Sequence, residues 1–71
     1  MRPHGTAIRD IRNGQNLGLR ALAERAGIDR GHLSRIERGE VRNPASTTLH
    51  RIAAALKVPV DAITITEEKT T

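Results

Sequence analysis

Arginine is concentrated in one stretch of this sequence, and few acidic residues accompany it. The stretch contains Arg30, Arg35, Arg38 and Arg42, and the only acidic residues between them are Glu37 and Glu40. A guanidinium group is a planar fork of N–H donors that can bind two acceptors at once, on a phosphate or on the O6 and N7 edge of guanine. The stretch therefore predicts recognition of a polyanion.

The composition of the whole chain agrees with a polyanionic partner but does not identify one. The 71 residues carry a formal net charge of +4, from 12 basic and 8 acidic side chains, and ten of the basic ones are arginine. A basic excess favours nucleic acid or another polyanion. The preference for arginine over lysine is equally consistent with a GC-rich genome, so the placement of the arginines has to decide their role.

The histidine residues give no sign of catalysis or of metal binding. His4, His32 and His50 fall in separate parts of the sequence, and none stands at metal-ligand spacing from a carboxylate or another histidine. The sequence also lacks a glycine-rich phosphate loop and a nucleophile motif. We therefore expect no enzymatic activity, no metal and no cofactor, and we expect His50 to be solvated.

Two short helical patterns separated by a glycine must position the arginines. The apolar residues of the first pattern recur at the spacing of one helix face: Leu22, Ala23 and Ala26. They predict a helix over Leu19–Ala26, and Gly27 follows it where a left-handed residue often ends a helix. Asp29 is then a good N-cap for a second helix, over about residues 29–38.

The second helix has an apolar face and a polar face. Leu33 and Ile36 form the buried stripe, with Glu37 on its edge. At about 100° per residue, a larger polar set points the other way. That set is Gly31, Ser34, Arg35 and Arg38, with Arg30 and His32 flanking it at the N-terminal end. Two helices joined by a short glycine-containing turn are the unit whose second helix enters the DNA major groove, although an ordinary helical hairpin would share the pattern.

This stretch resembles the helix-turn-helix of the Cro/cI-type repressor family, also called the XRE family, and the resemblance extends from about Ile8 to Ile63. The residues that carry it are Arg12, Leu22, Ala23, Gly27, Leu33, Ile36, Glu37, Gly39, Pro44, Leu49, Ile52, Ala53, Ala55, Leu56 and Val58. Each is a weak signal alone, whereas the set at these spacings is specific. The resemblance implies an all-α fold, a compact five-helix bundle like that of lambda repressor, with helices two and three as the helix-turn-helix.

The same resemblance assigns roles to individual residues. Matched onto this chain, the base-reading positions are Arg30, Gly31, Ser34 and Arg35, with His32 nearby. We expect Arg30 and Arg35 to read base edges. Gly31 cannot read a base, so it either lets the helix sit deeper in the groove or leaves one base pair unread. Phosphate contacts are expected from Arg38, Arg42 and Asn43, joined by Arg20 and by backbone N–H groups at helix N-termini.

The family also pairs an arginine of the first helix with the glutamate near the end of the recognition helix, here Arg12 and Glu37. A bidentate, partly buried ion pair would fix the angle between those helices. The alternative is that both residues are solvated surface charges.

The N-terminal part of the sequence predicts a lead-in and one more helix. Residues 1–5 are expected to be flexible, and residues 6–63 to form the helix-turn-helix domain. Thr6 is the predicted N-cap of the first helix, Ala7 to about Asn13. Gly18 is the predicted N-cap of the second helix, without a side-chain bond.

The C-terminal part predicts two further helices and a polar tail. The fourth helix begins at Ala45 or Ser46 and continues to about Leu56, and a short fifth helix over Val60–Ile63 follows a proline. Residues 64–71 form a disordered tail, a strand that pairs with another subunit, or the start of a linker. The sequence alone leaves these three alternatives open.

The residue types that the chain lacks limit how its core can be built and bear on where the protein is expected to act. The chain has no Phe, Trp, Tyr or Cys, so its core must come from Ile, Leu, Val and Ala, and no disulfide framework is expected. No apolar run approaches the roughly 20 residues of a membrane span, and the N-terminus lacks the apolar region of a signal peptide. We expect a small, modestly stable cytoplasmic protein of a bacterium or of a phage-infected host.

These features predict a transcriptional regulator that binds duplex DNA sequence-specifically, above all a repressor of phage or bacterial promoters. The alternative is a protein-interaction module of the same fold, an antitoxin or a transcription adaptor, although such surfaces are usually rich in aromatic residues. The expected partner is operator DNA, with no membrane and no small-molecule substrate. A homodimer through the C-terminal segment and a monomer on an asymmetric site both stay open.

Overall fold

The computed structural model describes residues 2–65, so residues 66–71 of the predicted tail lie outside the described part. In chain order the elements are β1 (Arg2–Pro3), α1 (Gly5–Gly14), α2 (Leu19–Ala26), α3 (Arg30–Glu37), α4 (Ser46–Leu56), a 3₁₀ turn (Val60–Ile63) and β2 (Thr64–Ile65). The molecule is helical, and α2 and α3 are the two short helices that the sequence predicted around Gly27.

The described residues form four α-helices, so the predicted five-helix bundle is wrong in number. The segment predicted as the fifth helix is a single 3₁₀ turn, in which the Ala62 N–H donates to the Pro59 carbonyl at 2.9 Å. Thr64 directly after this turn is already extended and belongs to β2. The turn is therefore too short to support i to i+4 bonds, and it closes with i to i+3 bonds instead.

The N-terminal residues differ from the predicted flexible lead-in. Arg2 and Pro3 form β1, which pairs antiparallel with β2, with Arg2 opposite Ile65 and Pro3 opposite Thr64. The His4 N–H continues this contact by donating to the Ile63 carbonyl at 2.8 Å. This pairing joins residues that are far apart in the sequence, and no local pattern predicts it. Of the alternatives for the tail, a strand is observed at residues 64–65, but it pairs within the same chain.

Helix α1 begins earlier than predicted. Its N-cap is His4 and not Thr6, because the His4 Nδ1 accepts a hydrogen bond from the Ala7 N–H at 3.2 Å. The His4 carbonyl also accepts from the Ile8 N–H at 3.0 Å. The His4 Nδ1 thus accepts the hydrogen bond that a serine or threonine hydroxyl more usually accepts at an N-cap, from the backbone N–H three residues further along the chain. The helix therefore includes Gly5 and Thr6 in its first turn.

Each α-helix in residues 2–65 ends with the same hydrogen-bond pattern, the Schellman motif. The residue in the left-handed conformation is Asn16, Gly27, Gly39 or Lys57, with φ of 59°, 71°, 80° and 60° respectively. The N–H of the next residue then donates five positions back, as from Ile28 to the Ala23 carbonyl at 3.0 Å. Gly27 ends α2 as predicted, and Gly39 ends α3 in the same way.

The core lies where α1, α2, α3, α4 and the 3₁₀ turn meet. Its fully buried large side chains are Ile8, Leu22, Leu33, Ile36, Leu49, Ile52, Leu56 and Ile63. These residues are the apolar stripes of the individual helices, so burial of the stripes fixes which face of α3 points outward. No helix within residues 2–65 has the length and apolar character needed to cross a membrane.

Candidate nucleic-acid interface

The turn between α2 and α3 fixes the start of α3. Gly27 is left-handed, and the Asp29 Oδ2 accepts a hydrogen bond from the His32 N–H at 3.2 Å, as expected of an N-cap. Gly18 caps α2 without a side-chain bond, also as predicted. Both helix starts and the turn between them thus follow from local sequence.

The face of α3 opposite the core is open and basic. Leu33 and Ile36 are fully buried. On the other side Arg30, Gly31, Arg35 and Arg38 are exposed, while His32 and Ser34 are half-buried. Within the described residues, neither Arg30 nor Arg35 forms an ion pair, so the donors of both guanidinium groups are available to a ligand. The structure therefore places the predicted base-reading residues on one helix face.

Arg12 of α1 holds the C-terminal end of α3 from the core side. Its Nε donates to the Glu37 Oε2 at 2.7 Å, and its Nη2 donates to the Glu37 Oε1 at 3.1 Å. The Arg12 and Glu37 side chains are only 12% and 6% exposed, so this pair is not solvated. The Arg12 Nη1 also donates to the Leu17 carbonyl at 2.9 Å. One guanidinium therefore ties α1, the entry to α2 and the end of α3 together.

Asp29 restricts the space beside Gly31. A Cβ atom added at Gly31 would lie 3.0 Å from the Asp29 Oδ2. That oxygen also caps α3, so a side chain at position 31 would compete with the cap for room. At the N-terminal end of the exposed face, the Asp29 carboxylate therefore lies next to Gly31, which has no side chain.

The residues predicted to contact phosphate are exposed, but one of them has a partner. Arg20 lies in the first turn of α2, and Arg42 and Asn43 lie in the loop that follows α3. The Arg38 Nε lies 3.2 Å from the Glu40 Oε2, with both side chains about half exposed. A pair this exposed is weak, so a phosphate could displace Glu40 from Arg38.

The side chains of two histidines, His4 and His50, make contacts within the fold. His4 caps α1, and the His50 ring Nδ1 lies 2.9 Å from the Ser46 carbonyl on the preceding turn of α4. His50 is exposed but makes this local contact, which the sequence did not predict. Among residues 2–65 no group of histidine and acidic side chains is arranged to hold a metal ion.

Comparison with known proteins gives the family. A family model described as helix-turn-helix matches residues 8–63. The chain belongs to the helix-turn-helix family. The matched range runs from the first buried residue of α1 to the end of the 3₁₀ turn, so it includes the whole core as well as the helix-turn-helix.

Relatives of this helix-turn-helix chain include bacterial regulators. RghRB of Bacillus subtilis, an HTH-type transcriptional regulator, is 36% identical over 61 residues, which are 86% of this chain and 44% of RghRB. The chain thus spans less than half the length of that relative. SinR of the same organism is 37% identical over 65 residues, 92% of this chain and 57% of SinR.

Solved structures of similar proteins share the fold. The structure of SinR in complex with DNA has a TM-score of 0.76 and 37% identity, over 80% of this chain and 90% of that one. The restriction-modification controller protein C.AhdI of Aeromonas hydrophila has a TM-score of 0.78 and 29% identity, over 83% of this chain and 88% of that one.

Three features of this helix-turn-helix site were missed from sequence. They are the bond from Arg12 to the Leu17 carbonyl, the partner of Arg38, and the close approach of Gly5 to the end of α3. Glu40 follows Arg38 by two residues, a spacing that could have suggested the pair. The other two contacts depend on tertiary packing and have no local signal.

Proposed function

We propose that this chain binds duplex DNA sequence-specifically, with α3 in the major groove, and regulates transcription as a repressor. The observation that supports this most strongly is the outward face of α3, where Arg30 and Arg35 are exposed and unpaired within residues 2–65. The regulator relatives and the SinR complex with DNA support the same function.

The proposed contacts divide into two groups. Arg30 and Arg35 read base edges, because a guanidinium fork matches the O6 and N7 acceptors of guanine. Ser34 and His32 lie beside them and complete the base-reading surface, and Gly31 occupies a position on that surface without a side chain that could read a base. Phosphates are bound by Arg20, Arg38, Arg42 and Asn43, which orient the protein on the duplex without reading sequence.

The salt dependence of binding tests this proposal. If about four to six phosphates are neutralised, a plot of log affinity against log salt concentration should have a slope of about −4 to −5. Arg42→Ala should reduce the slope by about one and weaken binding to all sequences alike. Arg25→Ala is a matched control, because Arg25 is exposed in the last turn of α2, at the opposite end of that helix from Arg20. A slope near zero would refute DNA binding and favour a protein partner.

We also propose that two copies bind an operator through the C-terminal segment. Val58 and Val60 are half-buried and Ile65 is 39% exposed, so this end offers apolar surface. A dimer would select inverted half-sites about 10 base pairs apart. A single asymmetric site, with a monomer in sedimentation, would overturn the proposed dimer.

The named relatives are bacterial, which supports action in the cytoplasm of a bacterium or of its phage-infected host.

A further inference from the structure

Gly5 makes a close backbone contact with the end of the recognition helix. It is the first residue of α1, and it packs onto the carbonyl groups of Ile36 and Glu37. A Cβ atom added at Gly5 would overlap the Glu37 carbonyl oxygen. It would also lie 2.8 Å from the Glu37 carbonyl carbon and 2.7 Å from the Ile36 carbonyl oxygen. These distances are shorter than van der Waals contact, so no side chain fits there without movement of backbone.

The backbone on each side of this contact is held in place by further hydrogen bonds. The Ile36 carbonyl accepts from the Gly39 N–H at 3.1 Å, within the motif that ends α3. Glu37 is held by Arg12, and on the other side the His4 N–H is bound to the Ile63 carbonyl at 2.8 Å. An added methyl group would therefore have to separate α1 from the end of α3.

We propose that Gly5 is a positioning residue for the recognition helix. Gly5 and Arg12 are about 10 Å apart along α1, at a rise of about 1.5 Å per residue, and both contact the last turn of α3. Gly5 sets how closely the α3 backbone approaches α1, while Arg12 holds the Glu37 side chain. The base-reading Arg35 directly precedes Ile36, so a displacement of this turn moves its guanidinium relative to the bases.

This inference rests on the proposed DNA binding, and a pair of glycine variants tests it. Gly14 lies in the same helix, and a Cβ atom added there meets nothing within 4 Å. Gly14→Ala is thus the matched control for Gly5→Ala. The probes are a duplex enriched by the wild-type protein from a random pool and a scrambled duplex of equal length. The measured quantity is the ratio of the two dissociation constants, at a temperature where circular dichroism shows each variant folded.

We expect Gly5→Ala to reduce the specificity ratio by about 5- to 150-fold, the value of one good base contact, while Gly14→Ala leaves it unchanged. A role in stability alone would leave the ratio unchanged, because any loss of folded protein lowers the apparent affinity for both duplexes by the same factor. A Gly5→Ala ratio equal to that of the wild-type protein would therefore overturn the inference.

A folding defect in Gly5→Ala does not prevent the test. If the variant is unfolded in buffer, both glycine variants and the wild type are compared in trimethylamine N-oxide, which favours compact states. The ratio of the two dissociation constants, measured in this solution, then tests the role of Gly5. Failure of the wild-type protein to prefer the enriched duplex would refute the proposed function itself, which is a different result from a Gly5→Ala variant with the wild-type ratio.

Discussion

Arg12 binds Glu37 through two parallel hydrogen bonds, of 2.7 and 3.1 Å, across the interface between α1 and the recognition helix. Both side chains are almost completely buried. Such a pair contributes orientation more reliably than net stability, because removing two charges from water offsets much of their attraction. Its role in this fold is to hold α3 at one angle, so that the arginines on the outer face keep a fixed geometry.

Breaking the Arg12–Glu37 pair should be more harmful than replacing it. Arg12→Met leaves the Glu37 carboxylate buried without its partner and should lower the free energy of unfolding by about 3–5 kcal/mol. Combining it with Glu37→Leu should recover part of that loss. Urea denaturation measures both, with the exposed Arg9→Met on the same helix as a control that changes stability by less than about 0.5 kcal/mol. A loss of a few tenths for Arg12→Met would mean that the two charges are effectively solvated.

Gly31→Ala tests how far the Asp29 cap can move. Alanine is favoured over glycine by roughly 1 kcal/mol inside a helix, but its Cβ would press on the Asp29 Oδ2. Since that oxygen ends a flexible side chain, we expect a net stabilisation below about 1 kcal/mol in thermal unfolding. Asp29→Ala alone should cost about 1 kcal/mol as a lost cap. A destabilised Gly31→Ala would show that Asp29 cannot shift.

Glu40→Gln should strengthen DNA binding. The change removes a negative charge and releases Arg38 from its 3.2 Å partner. Affinity should rise for all sequences alike, because Arg38 no longer has to leave Glu40 to bind its phosphate, and the salt slope should change by less than about 0.9, the value of one whole phosphate contact. Fluorescence anisotropy over a salt series measures this, and the exposed Glu24→Gln is the charge-matched control. An equal gain from both variants would show only a net-charge effect.

Lys57→Gly should stabilise the fold without affecting binding. Lys57 ends α4 with φ of 60°, a conformation that costs an L-residue roughly 1–2 kcal/mol and costs glycine little. We expect a gain of about 1 kcal/mol in urea denaturation, reduced somewhat by the greater freedom of glycine in the unfolded chain. Lys57→Ala should give no such gain, because alanine has the same strain. Equal effects of the two substitutions would assign the gain to loss of the lysine side chain.

The elements that depend on local chemistry were predictable from sequence. Gly27, Asp29 and Gly39 mark helix ends through their own conformational preferences, and the apolar stripe at Leu33 and Ile36 fixes the outer face of α3. The Arg12–Glu37 contact was expected only through resemblance to a family, since charges far apart in sequence do not reveal that they meet. The resemblance also suggested a fifth helix, which the segment after Pro59 forms only as a 3₁₀ turn.

The contacts between residues far apart in the sequence were not predictable. The pairing of β1 with β2 is one of them, and each strand has only two residues, too few for a recognisable alternation. His4 was overlooked as a cap because Thr6 is the more usual residue type for that position. The contact of Gly5 was not predictable either, because it is made with carbonyl groups of α3, which are far from Gly5 in the sequence.

Selection from a random-sequence duplex pool at moderate salt tests most directly whether the outer face of α3 reads DNA sequence. The wild-type protein should enrich a short motif that contains guanine. Arg35→Ala should lose the preference at one base pair and keep the rest of the motif, because each good arginine contact with guanine contributes about 1–3 kcal/mol of discrimination. No enriched motif, or an Arg35→Ala variant that enriches the wild-type motif equally well, would contradict the account.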